Sequence, residues 1–249
     1  EPTDGSFELY GAQNGAKEIY KARRRIGALV ETPAIYRDMT AKENLKQQYR
    51  VLGLPSFDKI EELLTLVGLS DSDKKKAGRF SLGMRQRLAI AIALCGDPDF
   101  LVLDEPMNGL DPQGIIEMRE LILKLNREKQ VTVLVSSHIL DELSKVATHY
   151  GFIDKGSIIK EMSAEELEMQ CRKCVRIEVS NIKTLSYVLD SKGFEYKIID
   201  NSKADIYADF QVTKLVSALE KENCIVYSIK EHDESLESYF INLVGGDEK

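Results

Sequence analysis

Through the first 160 residues, short wholly apolar runs alternate with longer stretches whose apolar positions recur every three or four residues. Three of the runs read as buried strands: Ile26 to Val30, ending at Glu31-Thr32-Pro33, then Phe100-Leu-Val-Leu103, then Val131 to Val135. Apolarity without polar alternation fits strands covered on both faces, as in a parallel sheet. The periodic stretches read as helices with legible ends. Thr40-x-x-Glu43 is a capping box that opens one of them. Ser56 precedes another with Ile60, Leu63, Leu64 and Val67 on one face, and Ser81 heads a third that runs through Ala93. Asp111 caps a long amphipathic helix through Lys129, with Pro112 in its first turn. The chain opens with a turn at Pro2, Asp4 and Gly5 and a short strand over residues 6–10. Strands alternating with helices predict an α/β core built on a parallel sheet.

After a hairpin across Asp154-Lys155-Gly156 and a capped helix at Ser163-x-x-Glu166, the pattern changes. Val175-Arg-Ile-Glu-Val179 alternates, and a helix carrying Leu185, Val188 and Leu189 follows. Strands near 194–199 and 204–210, a helix near 211–221, the strand Cys224 to Ile229 and a helix near 234–244 complete the chain. This βαββαβ order predicts a small α+β ferredoxin-like domain. The expected division is a core domain over residues 1–160, a linker helix over 161–173 and the accessory domain over 174–249.

Composition narrows the function. With 249 residues, 43% of them hydrophobic, the chain can bury a full core. Its net charge of −7 argues against general nucleic-acid binding, since a phosphate polymer wants a basic surface. The consecutive Arg23, Arg24 and Arg25 read as a solvated loop face. Cys95, Cys171, Cys174 and Cys224 lack the dense spacing of a secreted disulfide scaffold, which predicts a reducing compartment. Cys171-x-x-Cys174 has no second CxxC and no nearby His pair to make a metal site of it. No apolar run approaches the roughly 20 residues that span a bilayer, and no signal-peptide pattern opens the chain. A cytoplasmic chain that meets a membrane only through a partner is expected.

The candidate chemistry begins where four apolar residues run into two carboxylates, at Phe100-Leu-Val-Leu-Asp104-Glu105. A buried strand ending in acid holds those groups rigidly at the carboxyl edge of the sheet, where ligands of open α/β folds bind. Asp104 is placed to orient Mg²⁺ through its water shell, and Glu105 to take a proton from an attacking water. The plainer alternative is that both acids merely end a strand in solvent. Ser81 and Gly83 stand at the start of a helix, whose free amides and dipole suit a phosphate; an ordinary serine cap is the alternative. His138 ends the run Val135-Ser-Ser-His, where an imidazole could hydrogen-bond a γ-phosphate. His149 and His232 read as structural.

Taken in order, Ser81-Leu-Gly-Met-Arg-Gln86, Leu103-Asp-Glu-Pro106, Gly109-Leu-Asp-Pro112 and Ser136-Ser-His138 resemble the ATP-binding-cassette (ABC) ATPase. The resemblance implies a P-loop NTPase-like domain, with a parallel-sheet core and a helical subdomain, that binds ATP and Mg²⁺. By it, Asp104 ends the Walker B strand, Glu105 is the catalytic carboxylate and His138 is the switch histidine. Asp111 belongs to the D-loop, and Ser81, Gly83 and Gln86 belong to the signature segment that meets nucleotide held by the opposite subunit. The stretches Ile26 to Tyr36 and Thr40 to Leu45 resemble the bacitracin and lantibiotic export branch, and Ser235 to Phe240 the tail of drug-export ATPases. The implied partners are a second such subunit, in a homodimer or a paired ABC dimer, and a membrane permease docking around Glu31 to Asn44. A ribosome- or DNA-associated ABC ATPase and a regulatory subunit without hydrolysis are the competing readings.

The chain departs from the family in three places. Glu31 stands where the Q-loop usually carries Gln, with a carboxylate that could still meet the metal or a water. The signature reads Ser-Leu-Gly-Met instead of Ser-Gly-Gly-Gln. The phosphate-cradling pattern GxxxxGK[ST] is missing from the 249 residues. Its one candidate, Gly11-Ala-Gln-Asn-Gly-Ala-Lys17-Glu18, is a residue short and ends in a carboxylate that repels phosphate. An N-terminal truncation ahead of Glu1 is the expected cause, and with it a chain inactive by itself.

Overall fold

The computed structural model describes residues 2–30, 34–72, 74–171, 173–208, 210–232 and 236–245. It divides into two compact units, Glu1–Val146 and Ala147–Lys249.

The first unit opens with a two-residue hairpin, β1 (Glu8–Leu9) antiparallel to β2 (Ala12–Gln13). The sequence predicts one strand across residues 6–10, but the chain reverses inside it. Tyr10 and Gly11 take φ of +50° and +77°, the left-handed pair that matches hairpin twist. The rejected phosphate-loop candidate therefore lies in this hairpin and the turn after it. Next comes the short helix α1 (Ile19–Arg23). Of the three arginines read as solvated, Arg25 is engaged: its Nε donates to Asp99 Oδ2 at 2.9 Å, and its guanidinium lies 3.7 Å from the Tyr10 ring centroid. The Tyr10 hydroxyl donates to the same carboxylate.

Three parallel strands form the sheet: β3 (Ile26–Leu29), β4 (Phe100–Asp104) and β5 (Thr132–Ser136), with β4 in the middle. Leu29, Leu103 and Val135 lie in register across it, as do Asp104 and Ser136 at its carboxyl edge. Around it run α2 (Ala41–Leu52), α3 (Ile60–Leu66), α4 (Leu82–Ala93), α5 (Pro112–Lys129) and the four-residue α6 (Leu140–Leu143). Leu45, Ile60, Leu64, Leu88, Ile90, Leu101, Leu103 and Leu125 make one continuous core. Local signals set the helix ends. The Thr40 hydroxyl accepts from the Glu43 amide at 3.2 Å, and Glu43 Oε2 accepts from the Thr40 amide at 2.7 Å. Gly53, at φ +67°, closes α2.

At Gly27 the sheet and α4 approach so closely that only glycine fits. A Cβ there would stand 2.3 Å from the Ala93 carbonyl oxygen, a backbone atom that no rotamer can move aside. Gly27→Ala should cost about 2–3 kcal/mol through forced strand–helix separation. Urea unfolding checks this, and an unchanged midpoint would show that the approach is not needed.

The second unit begins with the antiparallel hairpin β6 (His149–Asp154) and β7 (Ser157–Ser163), turned by Lys155 and Gly156 in left-handed conformation. Helix α7 (Ala164–Gln170) carries both halves of the Ser163–Glu166 capping box. Helix α10 (Leu236–Gly245) places Leu236, Tyr239, Phe240 and Leu243 against Phe152, Met162 and Leu167. Between them lie β8 (Cys174–Val179), α8 (Ile182–Ser191), β9 (Tyr196–Ile198), β10 (Lys203–Ile206), α9 (Val212–Lys221) and β11 (Val226–His232). The four strands are antiparallel in the order β11-β8-β10-β9. Ile177, Val179, Ala204 and Ile206 pack with Leu185, Val188, Leu189, Leu215 and Leu219 of the helices. Asp205, 4% exposed, is held by a bidentate pair with Arg176 at 2.6 and 2.8 Å, which satisfies its buried charge. Among the described residues no helix is long and apolar enough to cross a membrane.

Candidate functional site

The carboxyl edge of the parallel sheet gathers the acidic residues. Asp104 is the last residue of the central strand, and buried Leu101 and Leu103 anchor that strand from within. Directly after it Glu105 takes φ +47°, a left-handed conformation uncommon for a residue with a side chain. This turns the chain sharply off the sheet. The Asn108 amide donates to the Glu105 carbonyl at 3.1 Å, and Gly109, at φ +72°, completes the loop. Asp111 then caps α5, with its Oδ1 accepting from the Gly114 amide at 3.1 Å.

His138 comes to the same edge from the end of β5. Its Nδ1 lies 3.0 Å from both Oε1 and Oε2 of Glu105. A carboxylate only accepts, so Nδ1 carries the hydrogen in this contact and Nε2 takes no part in it. The Glu105 side chain is 28% exposed and that of His138 65%, so both can be reached from solvent. Ser136 links the two acids: its hydroxyl donates to Asp104 Oδ1 at 2.5 Å and accepts from the Glu105 amide at 2.9 Å. Among the described residues Asp104 Oδ2 has no hydrogen-bond partner.

The segment Ser81 to Gln86 stands beside this loop. Ser81 caps α4, accepting from the Met84 amide at 3.2 Å, and is exposed. A Cβ on Gly83 would meet only Leu110 Cδ2, at 3.5 Å, and one on Gly109 would meet Leu82 Cδ2 at 3.2 Å. The start of α4 is thus packed against the loop after Glu105 through Leu82 and Leu110. No hydrogen bond among the described residues joins Ser81 to Asp104, Glu105 or His138. Gln86, predicted to meet nucleotide, is 4% exposed and turned inward, and its Oε1 has no partner among the described residues. Glu31 lies outside the described residues.

Sequence reasoning gave two contributors no separate role. Asn44, 2% exposed, accepts from the Tyr36 amide and donates to the carbonyls of Tyr36 and Thr40, at 2.8, 3.0 and 2.9 Å. It ties the loop before α2 to that helix. The same loop pairs with the turn ahead of Ser81, where the Ala77 and Gly78 amides donate to the carbonyls of Met39 and Arg37, both at 2.8 Å. Ser136 is the other, and its pairing depends on strand register. An asparagine one residue after a capping-box glutamate is the only local sign of the first.

The donor set suits a cation shared with phosphate more than one caged by protein. No group of three or more His, Cys, Asp or Glu side chains among the described residues could hold a metal. A lone carboxylate oxygen without a partner among the described residues, at the sheet edge where ligands of open α/β folds bind, is compatible with Mg²⁺, which keeps its waters and takes most ligands from substrate.

The chain is similar to known proteins over most of its length. Residues 1–108 match the family described as ABC transporter. The chain is 39% identical over 250 residues to the bacitracin transport ATP-binding protein BcrA of Bacillus licheniformis, covering 99% of this chain and 81% of that one. It is 43% identical over 159 residues to the lantibiotic transport ATP-binding protein SrtF of Streptococcus pyogenes, covering 64% and 67% of the two chains. Its fold is similar to that of the ATP-binding cassette MJ0796, solved as a post-hydrolysis dimer with ADP and Pi, at a TM-score of 0.57 and 22% identity over 66% of this chain and 75% of that one. At 39% identity across nearly its whole length to such a subunit, the chain belongs to the ATP-binding subunits of ABC transporters.

Proposed function

We propose that this protein is the Mg²⁺-dependent ATP-hydrolysing subunit of an exporter, acting as a head-to-tail dimer on a separate membrane permease. The assembly of Asp104, Glu105 and His138 at the carboxyl edge of the parallel sheet carries the reading. Bound Mg²⁺ would offset charge on the β- and γ-phosphates. Asp104 would hold it through Oδ2 and its water shell. Glu105 accepts the proton of the attacking water. His138 orients that carboxylate through Nδ1 and offers Nε2 to the γ-phosphate.

Ser81 and Gly83 serve the partner subunit's nucleotide. The exposure of Ser81, the absence of a bond to the chain's own acids and the room beside Gly83 all favour an opposing ligand. Gln86 supports that segment from the buried side, and Asp111 fixes the loop between the two half-sites. Glu31 completes the metal and water contacts from the Q-loop position. The permease docks around residues 31–44, which places the protein on the cytoplasmic face of the membrane. The names of the relatives favour antimicrobial peptides as cargo. Residues 1–160 serve as the ATPase domain and 161–173 as a linker, with 174–249 a ferredoxin-like accessory domain, favoured by its antiparallel strand order.

Phosphate release from ATP by the full-length protein, with and without Mg²⁺, tests the reading. Wild type should hydrolyse, and Asp104→Asn should lose at least about 100-fold. A wild type that binds ATP but releases no phosphate would leave a regulatory subunit instead. The 249-residue polypeptide, which contains no GxxxxGK[ST], should show no tight Mg-ATP binding by calorimetry. Binding that Asp104→Asn weakens would reveal another phosphate cradle in these residues.

A further inference from the structure

The parallel register sets Ser136 beside Asp104, one strand over from the first acid and 31 residues along the chain from the second. A serine hydroxyl has one hydrogen to give and lone pairs to accept with. Ser136 gives its hydrogen to Asp104 Oδ1 at 2.5 Å and accepts the Glu105 amide at 2.9 Å. The first bond occupies one carboxylate oxygen and leaves Oδ2 for an incoming group. The second holds the amide of a residue in left-handed conformation, whose carbonyl is held in turn by the Asn108 amide. The neighbouring Ser137 does something else: its hydroxyl accepts from the Ile139 amide at 3.0 Å, just ahead of α6.

We infer that Ser136 is a positioning residue for hydrolysis, setting both which oxygen Asp104 presents and the direction in which Glu105 leaves the sheet. The inference rests on the ATPase reading above. Ser136 need not touch substrate. It acts through two acids, one that ends the neighbouring strand and one that directly follows it, and a hydroxyl is the smallest group able to serve both at once. Alanine at this position frees Asp104 to rotate and leaves the Glu105 amide unpaired, while threonine keeps the hydroxyl and adds a methyl group at an exposed position.

The test uses the full-length protein with Mn²⁺ as the probe, its bound fraction read by electron paramagnetic resonance with a non-hydrolysable ATP analogue. Steady-state hydrolysis and urea unfolding are measured alongside. Ser136→Ala should weaken Mn²⁺ binding about 10-fold and lower kcat by about 10- to 100-fold, the range for residues that orient a metal's own ligands. KM for ATP should stay within about 3-fold, because phosphate and base contacts are untouched. Ser136→Thr should recover both losses to within about 2-fold. Wild-type Mn²⁺ affinity and kcat in Ser136→Ala would overturn the inference, and so would a threonine variant as poor as alanine. A fall in unfolding midpoint that tracks the loss of Mn²⁺ would replace positioning with a structural role. Wild type that neither binds Mn²⁺ with the analogue nor releases phosphate would overturn the ATPase reading and this inference together. A competent wild type with an unchanged Ser136→Ala would overturn the inference alone.

Discussion

Glu105→Gln should keep nucleotide bound while lowering phosphate release by about 100- to 10,000-fold, the usual worth of a positioned general base. The substitution preserves shape: an amide oxygen can still accept from His138 Nδ1, the nitrogen that lies 3.0 Å from both carboxylate oxygens. What it removes is the ability to take a proton from water. The fold, the left-handed turn and the Ser136 bond to the backbone amide all involve atoms that glutamine retains. The loss should therefore appear in kcat, with ATP affinity within a few-fold and dimers accumulating with trapped nucleotide. Single-turnover phosphate release and size-exclusion chromatography with ATP would read both. Turnover within about 3-fold of wild type would remove Glu105 from the base role, because no base of ordinary worth is lost for so little.

Leu103→Ala should cost about 2–5 kcal/mol of folding stability, through lost burial and a cavity that a sheet interior cannot close. Leu103 is fully buried in the middle strand, between Leu29 and Val135 in register, so neighbours on both sides are fixed by strand hydrogen bonds. It also immediately precedes Asp104, and slack there should lower hydrolysis more than the stability loss alone explains. Leu134, 56% exposed on β5, is the matched control: Leu134→Ala should change stability by no more than about 0.5 kcal/mol. Urea unfolding of the two variants decides the matter. A cost below about 1 kcal/mol at Leu103 would mean that the sheet collapses onto the gap.

Much of the fold could be read along the chain because it rests on short-range signals. The capping boxes at Thr40–Glu43 and Ser163–Glu166, the Asp111–Pro112 start of α5 and the left-handed turn at Lys155-Gly156 are interactions within a few residues. Sequence gives such neighbours directly. The apolar run before Asp104 also identified the central strand, since burial on both faces leaves little choice of residue. Reading failed where a turn hid inside an apparent strand. Tyr10-Gly11 lacks the Asn-Gly or Asp-Gly signal, and only tertiary pairing with Ala12–Gln13 shows the reversal. Arg25 escaped for a related reason: its partner Asp99 is 74 residues away.

The candidate site divides along the same line. Residue order and type determined by themselves the parallel strands, most helix limits, the acidic strand end and the family that the four motifs resemble. Tertiary structure alone decided that His138 meets Glu105 across 33 residues, that Ser136 serves both acids, that Gln86 turns inward and that Gly27 admits no side chain. Each of those facts depends on strand register or on how closely a helix approaches the sheet. Register and approach are settled by the summed packing of many distant side chains, a global minimum that no local stretch encodes.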